Sequence, residues 1–181
     1  MASIITEQDV VDRLARGDAN DPGLTIVVGV ATDVVRTFTE QTITAETSDT
    51  VILDGNGGES LPLPQRPVTT VRSVTVSANG VDEVLDAADY VTDSNGIIYR
   101  IDDGVWTEGR QNITVVYDHG WADGEIPRDL TGVALELALR LHAQGPVVEE
   151  SLGQSRVKYA GAAMDLTPTQ RFVLAKYRQV R

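Results

Sequence analysis

The chain has 181 residues, of which 23% are charged, and a formal net charge of −12 at pH 7. A chain of this length buries roughly 70% of its unfolded surface, in one domain or in two small ones. It contains no cysteine, which excludes a disulfide framework, thiolate metal sites and cysteine nucleophiles. No apolar run approaches the roughly 18 residues that span a bilayer, and residues 1–6 lack the basic and apolar regions of a signal peptide. We therefore expect a soluble protein that is intracellular when made and has no membrane partner.

The charge is unevenly distributed along the chain. Residues 1–153 carry nine basic and 26 acidic side chains, net −17, whereas residues 154–181 carry six basic side chains and one acidic, net +5. Because residues 1–153 are so acidic, they repel nucleic-acid phosphates, which argues against tight DNA binding by this part of the chain. The basic tail is either a contact segment for a partner or a solvated helix face. Its cations are Arg156, Lys158, Arg171, Lys176, Arg178 and Arg181.

The N-terminal region predicts two helices. Thr6 with Asp9 resembles a capping arrangement at the start of the first helix. Asp21 followed by Pro22 places a cap residue before a proline in the first turn, so a second helix is predicted over about residues 22–41. Its apolar residues recur at steps of three and four, as expected for a helix face: Val27, Val30, Val34 and Phe38.

About residues 44–119 change to a period of two and predict an antiparallel β unit. Three prolines between Leu61 and Pro67 remove backbone donors, so this stretch is predicted to be an extended edge or connector. A true strand is expected to start only at Val68, and its imperfect alternation predicts a bulge near residues 70–72.

Two further patterns support the β unit. Asn95-Gly96 lies between two β-forming stretches and predicts a two-residue hairpin turn. Residues 112–118 alternate cleanly and place Ile113, Val115 and Tyr117 on one face.

A third helix is predicted from Ile126-Pro127 to Gly145-Pro146. Its apolar residues occupy most of the helix surface, which predicts burial on several sides. We expect such a helix to be central in a bundle or to complete its burial against another subunit, through Leu135 and Leu139.

The last part of the chain is predicted to be an arm and a short helix. Residues 147–166 are rich in Gly, Ser and Ala with little periodicity and predict an exposed or mobile arm. Thr167-Pro168 resembles a cap, and a short basic amphipathic helix is predicted to follow it.

Together these elements predict an α+β fold: a helical bundle of two N-terminal helices, a central helix and a C-terminal helix, carrying an antiparallel β insertion. The predicted segments are 1–43 for the N-terminal helices, 44–121 for the β insertion, 122–146 for the central helix, and 147–181 for the arm and basic C-terminal helix.

Patterns typical of catalysis or metal binding are weak. The sequence has no phosphate-binding loop, no zinc-binding helix and no nucleophile elbow of the usual spacing. Asp118 and His119 are candidates for a hydrolase acid/base pair, but neighbours on a strand point to opposite faces. Asp54, Asn56 and Glu59 have the residue types of a calcium loop without its spacing, and they fit a turn better. We therefore predict no catalytic residue, no metal site and no cofactor.

An ordered set of short motifs runs through about residues 22–160. It comprises Val-Ile-Leu-Asp-Gly with Gly-Gly at 51–58, Leu-Pro-Leu-Pro at 61–64, Pro-Val at 67–68, residues 71–76, Asp89-Tyr90, Gly96-Ile97-Ile98, Trp106, residues 115–121, and Ile-Pro-Arg-Asp-Leu at 126–130. The set resembles the head-to-tail connector, or adaptor, proteins of long-tailed bacteriophages.

The resemblance implies a structural virion protein without an active site. It implies a dodecameric ring of identical subunits beneath the portal, in the neck of the virion, which is assembled in the host cytoplasm. The ring offers a platform to the next neck protein, a stopper or tail terminator, and genomic DNA passes through it without specific binding. The arm and C-terminal segment of such connectors usually engage the portal, which gives the basic tail a partner.

The alternative that the sequence leaves open is an interaction module of a different class. A phage tail or baseplate component containing a β-sandwich could bind a partner surface without forming the neck ring.

Overall fold

The structure is a computed structural model that describes residues 2–15, 17–93, 95–101, 104–144, 147–151, 154–158 and 164–178, with the backbone alone for 147–151 and 154–158. The chain forms two compact units, Met1–Gln41 with Glu125–Arg181, and Thr42–Gly124. We call the first the helical unit and the second the β unit. Because the β unit is inserted between two helices of the helical unit, the predicted α+β fold with an antiparallel β insertion is confirmed.

The first helix, α1 (Glu7–Leu14), starts at the predicted cap. The Thr6 hydroxyl accepts a hydrogen bond from the backbone N–H of Asp9, and the Asp9 carboxylate accepts one from the N–H of Thr6 at 2.7 Å. These reciprocal bonds satisfy backbone donors that a helix start leaves unpaired. Val10 is the buried residue of this helix.

The second helix, α2 (Pro22–Thr39), is capped by Asp21, whose side chain accepts a hydrogen bond from the Gly23 N–H. It ends before the predicted limit at residue 41 because Glu40 takes a left-handed φ of 56°. Its buried apolar residues are Leu24, Val27, Val28, Ala31 and Val35. Val30, Val34 and Phe38 are half-buried on the flank of this face.

The third helix, α3 (Arg128–Gln144), buries one stripe instead of its whole surface. The stripe follows helical spacing and comprises Leu130, Val133, Ala134, Leu137, Ala138 and Leu141. Leu135 and Leu139 are half-buried, and Glu136 is exposed. The prediction of a helix buried nearly all round is therefore wrong for the single chain, because its remaining apolar residues lie beside the stripe.

The predicted irregular arm contains a hairpin. Strands β8 (Val147–Ser151) and β9 (Gln154–Lys158) pair antiparallel, with Val147 opposite Lys158. This corrects the expectation of an arm without periodic structure; the β-branched residues Val147, Val148 and Val157 lie at the open end of the ladder and favour strand structure there.

The last helix, α4 (Pro168–Ala175), is docked on α3. Its cap is the predicted one, since Thr167 and Gln170 form a reciprocal capping box. Gln170 is buried, donates to the Glu136 carboxylate at 2.9 Å and accepts from the Arg140 guanidinium at 3.3 Å. Leu174 is fully buried.

The β unit contains a four-stranded and a three-stranded sheet, both antiparallel. The strands in chain order are β1 (Glu46–Gly55), β2 (Ser60–Pro62), β3 (Val68–Ala78), β4 (Val81–Val84), β5 (Tyr90–Thr92), β6 (Ile97–Arg100) and β7 (Gly109–His119). The four-stranded sheet has the order β1-β7-β3-β4, and the three-stranded sheet has the order β2-β6-β5.

The proline-rich stretch behaves as predicted. It supplies only the three-residue strand β2, which lies at the edge of its sheet. The long strand β3 starts at Val68, and its pairing with β7 shifts register twice, between Val68 and Thr70 and between Val71 and Ser73. These shifts confirm the predicted bulge.

The predicted hairpin at Asn95-Gly96 joins β5 and β6, but its turn starts earlier. The Asp93 carboxylate accepts hydrogen bonds from the N–H groups of Asn95 and Ile97, each at 2.9 Å. The Gly96 N–H donates to the Asp93 carbonyl at 3.1 Å. Asp93 thus forms an Asx-type turn. The connection between β5 and β6 is therefore longer than the predicted two-residue turn.

One core is shared by the two sheets. It includes Leu61 and Ile98 from the three-stranded sheet, five residues from the four-stranded sheet, and the indole of Trp106. The five residues are Val74, Val76, Ile113, Val115 and Tyr117. The predicted inward face of β7 is thereby confirmed, and the β unit is a two-layer sandwich.

Candidate interaction surfaces

The candidate acid/base pair is separated by the alternation of its strand. The Asp118 carboxylate accepts hydrogen bonds from Arg72 at 2.6 and 2.7 Å and from the Ser48 N–H at 2.8 Å. The Arg72 guanidinium holds the pKa of Asp118 below its usual range. The His119 ring is buried, with Nε2 3.1 Å from the Asp49 carboxylate. The two side chains therefore form different contacts, and neither positions the other for catalysis.

Two of the three residues considered as a calcium loop, Asp54 and Asn56, bond to nearby backbone groups instead. The Asp54 carboxylate accepts from the Gln111 N–H at 2.6 Å, and the Asn56 side chain accepts from the Gly58 N–H and donates to the Ser60 carbonyl, both at 2.9 Å. Within the described part of the chain, no group of three or more His, Cys, Asp or Glu residues could hold a metal ion. These polar side chains are satisfied by the backbone.

The described cations of the basic tail lie on and after α4, where each bonds to the helical unit. Lys176 Nζ lies 3.9 Å from the Asp129 carboxylate, and an Arg178 guanidinium nitrogen lies 3.2 Å from Glu40. The Arg171 Nε donates to the Leu166 carbonyl at 3.1 Å. Because all three side chains are also exposed to solvent, these pairs contribute little stability and leave the charges accessible.

The other predicted tail contacts are less fully described. Arg156 and Lys158 belong to β9, of which the structure gives the backbone, and Arg181 lies outside the described residues. The structure brings Arg171 and Arg178 to one groove of the helical unit, whereas Lys176 faces Asp129 of α3.

Tyr177 anchors this end of the chain to α3. Its hydroxyl donates to the Asp129 carboxylate at 2.7 Å. Burial, and then the contact with Asp129, raise the pKa of Tyr177 to about 12. The tyrosine therefore stays protonated at physiological pH and holds the cationic segment in place.

A groove that the sequence did not indicate as a site lies beside Arg171 and Arg178. It has a volume of about 600 Å³, and α2 lines it with Val30, Val34 and Phe38. Met164, Leu166, Arg171 and Arg178 line it as well. Phe172 is 73% exposed. Apolar and cationic side chains are therefore adjacent at this end of the helical unit, a combination found at protein interfaces.

A family model matches almost the whole chain. The model is the head completion protein family, and the match extends over residues 3–180. The chain belongs to the head completion protein family. Membership confirms the resemblance to head-to-tail connectors and the predicted function, a structural head-to-tail adaptor.

Solved structures share the fold of this head completion protein. A chain in the neck of an empty gene transfer agent particle, computed with C6 symmetry, superposes with a TM-score of 0.63 at 17% identity, covering 98% of this chain and 90% of that one. A chain in the virion of the native gene transfer agent particle gives 0.63 at 17% identity, covering 100% and 94%. A chain in the neck of the native particle, computed with C12 symmetry, gives 0.57 at 16% identity, covering 99% and 95%.

A comparison with curated sequences and a search for membrane-spanning helices both give negative results. Curated protein sequences give no match to the chain. Among the described residues, no helix is long and apolar enough to cross a membrane.

Proposed function

We propose that this head completion protein forms a dodecameric ring beneath the portal and carries no catalytic activity. The family match over residues 3–180 carries the proposal. It is supported by the similarity to neck proteins of gene transfer agent particles computed with C6 and C12 symmetry. The next neck protein, a stopper or tail terminator, binds the ring on the side away from the portal.

DNA passes through the ring without specific binding. The net charge of −17 on residues 1–153 supports this step, because an acidic wall repels phosphates and lets the duplex slide.

Each segment of the chain has its own part in the proposal. Residues 1–43 and 122–146 build the bundle, and residues 44–121 form the β insertion. Residues 147–181 bind the portal, through Arg156, Lys158, Arg171, Lys176, Arg178 and Arg181.

The portal contact is tested most sharply by reversing an accessible charge. Arg171 is exposed, and the one described bond of its side chain goes to a backbone carbonyl, so Arg171→Glu removes a tail cation with little effect on folding. We expect weaker capture by immobilised portal rings, by about three- to tenfold. Arg110→Glu, an equal reversal at an exposed position of the β unit, is the matched control. Equal capture of both variants would contradict the contact.

The subunit contact through α3 is a separate proposal. Leu135 and Leu139 are half-buried in the single chain, beside the buried stripe, and their remaining apolar surface is available to a neighbouring copy. We expect Leu135→Glu with Leu139→Glu to abolish rings in negative-stain images. Thermal unfolding of the unassembled variant separates lost assembly from lost folding. Intact rings at matched concentration would exclude this contact.

A further inference from the structure

The outer face of the four-stranded sheet carries two uncharged rows. In one row, Ile52, Thr114, Thr75 and Val84 lie side by side across β1, β7, β3 and β4. In the next row, Thr50, Val116 and Ser73 lie side by side across three strands. Ile52 is 58% exposed and Val84 is 68% exposed. We call this surface face A.

The outer face of the three-stranded sheet carries exposed apolar side chains. Val91, Tyr99 and Ser60 form one row across β5, β6 and β2. Val91 is 53% exposed, Tyr99 is 36% exposed, and Ile101, two residues beyond Tyr99 and so on the same side, is 38% exposed. We call this surface face B.

The two faces lie on opposite sides of one sandwich. Side chains alternate along each strand, so the neighbours of the outward residues point inward. Ile98, next to Tyr99, and Val74 and Val76, on either side of Thr75, lie in the core that both sheets share. A subunit in a closed ring contacts two neighbours through two different surfaces, because the head-to-tail contact is heterologous. Faces A and B satisfy that requirement.

Charge limits where the β units of two neighbouring copies can pack. Residues 42–124 carry 14 acidic and four basic side chains, net −10. Two such units repel each other, so they approach closely only where their surfaces are uncharged. Acids lie next to both faces: Asp82 is two residues from Val84 on β4, and Glu59 directly precedes Ser60. An uncharged centre with a charged rim is the usual anatomy of an interface.

We propose that neighbouring copies pack through their β units, face A of one copy against face B of the next. The inference rests on the ring proposed above and identifies the surfaces that close it. It adds a sheet-to-sheet contact to the helical contact through Leu135 and Leu139.

The absence of cysteine from the natural chain permits a direct test. Ile52→Cys marks face A, and Val91→Cys marks face B; both positions are exposed, so folding is preserved. Full-length protein assembled on portal rings is treated with a short bismaleimide, which joins thiols that lie close together. We expect the variant with both cysteines to give a ladder of covalent multimers and an equimolar mixture of the two single variants to give dimers. Each single variant alone stays uncrosslinked.

A control and a second measurement separate the possible failures. The pair Ile26→Cys with Val91→Cys places the first thiol on an exposed residue of α2 and is expected to give no ladder. Rings that are visible by electron microscopy but give no ladder with the pair at residues 52 and 91 would overturn this inference and leave the proposed function intact. Cross-links from these cysteines to portal or tail protein would also overturn it. Absence of rings would contradict the proposed function itself.

Discussion

Gly55 lies where β1 ends against the backbone of the loop before β7. A Cβ at this position would lie 1.8 Å from the Thr107 carbonyl oxygen, so no other residue fits without moving the backbone. The buried Asn112 side chain bridges the two segments: it accepts from the Gly55 N–H and donates to the Thr107 carbonyl, both at 2.8 Å. Gly55 and Asn112 together hold the end of β1 against the loop that precedes β7.

We expect Gly55→Ala to lower the free energy of unfolding by about 1–3 kcal/mol, the usual cost of overpacking. Chemical denaturation of the unassembled protein measures the change. Gly132→Ala in α3 is the matched control: a Cβ there meets nothing within 4 Å, so alanine stabilises the helix by up to about 1 kcal/mol. Equal effects of the two substitutions would show that the close approach is absent.

The Arg72–Asp118 pair predicts a particular dependence on pH. Hydrogen bonds from Arg72 lower the pKa of Asp118, so its contribution to stability is present above its unfolded pKa of about 4 and is lost as the pH falls through the lower folded value. We expect Arg72→Gln to raise the pKa of Asp118 in an NMR carboxyl titration. Arg110→Gln is expected to leave it unchanged, and an unshifted Asp118 in Arg72→Gln would contradict the pairing.

At the scale of elements, the sequence predicts where helices and strands start better than where they end or how they turn. The caps at Thr6, Asp21 and Thr167 are local, because each requires only side-chain and backbone groups within three residues. The start of β3 at Val68 follows equally from local chemistry, since proline cannot donate to a ladder.

Features that depend on distant contacts were harder to predict. The burial of α3 on one stripe is set by its packing partners, which its own composition does not reveal. The β8–β9 hairpin was missed because Gly and Ser obscure two very short strands. The groove beside α4 was missed because it brings together residues more than 120 positions apart in the sequence.

The cap of α4 provides a test at the scale of one element. Thr167→Ala removes the hydroxyl that accepts from the Gln170 N–H at 3.2 Å, and is expected to cost about 0.5–2 kcal/mol of stability. A helix of eight residues is marginal without its cap, so hydrogen exchange in residues 168–175 is expected to rise. Thr169→Ala, an exposed threonine of the same helix, is the control. Equal exchange in both variants would contradict the role of the cap.

At the scale of the whole molecule, the proposed portal contact and the proposed contact between β units differ in electrostatic sign. In the proposed portal contact the tail supplies cations, whereas in the proposed contact between faces A and B two acidic β units approach each other. Raising the salt concentration from about 0.1 M to about 1 M shortens the Debye length from ~10 Å to ~3 Å. It screens both the attraction of the tail to the portal and the repulsion between β units.

We therefore expect salt to weaken capture by the portal and to strengthen association between copies. Binding to immobilised portal rings measures the first effect, and sedimentation of the concentrated free protein measures the second. The same salt dependence in both assays would show that the division of charge along the chain does not govern assembly.

The measurement that tests the account most directly is electron microscopy of the protein bound to portal rings, processed without imposed symmetry. The account predicts twelve copies in a closed ring on one side of the portal, with an open channel for DNA. Single copies bound without contact to one another, or no binding to the portal, would contradict it.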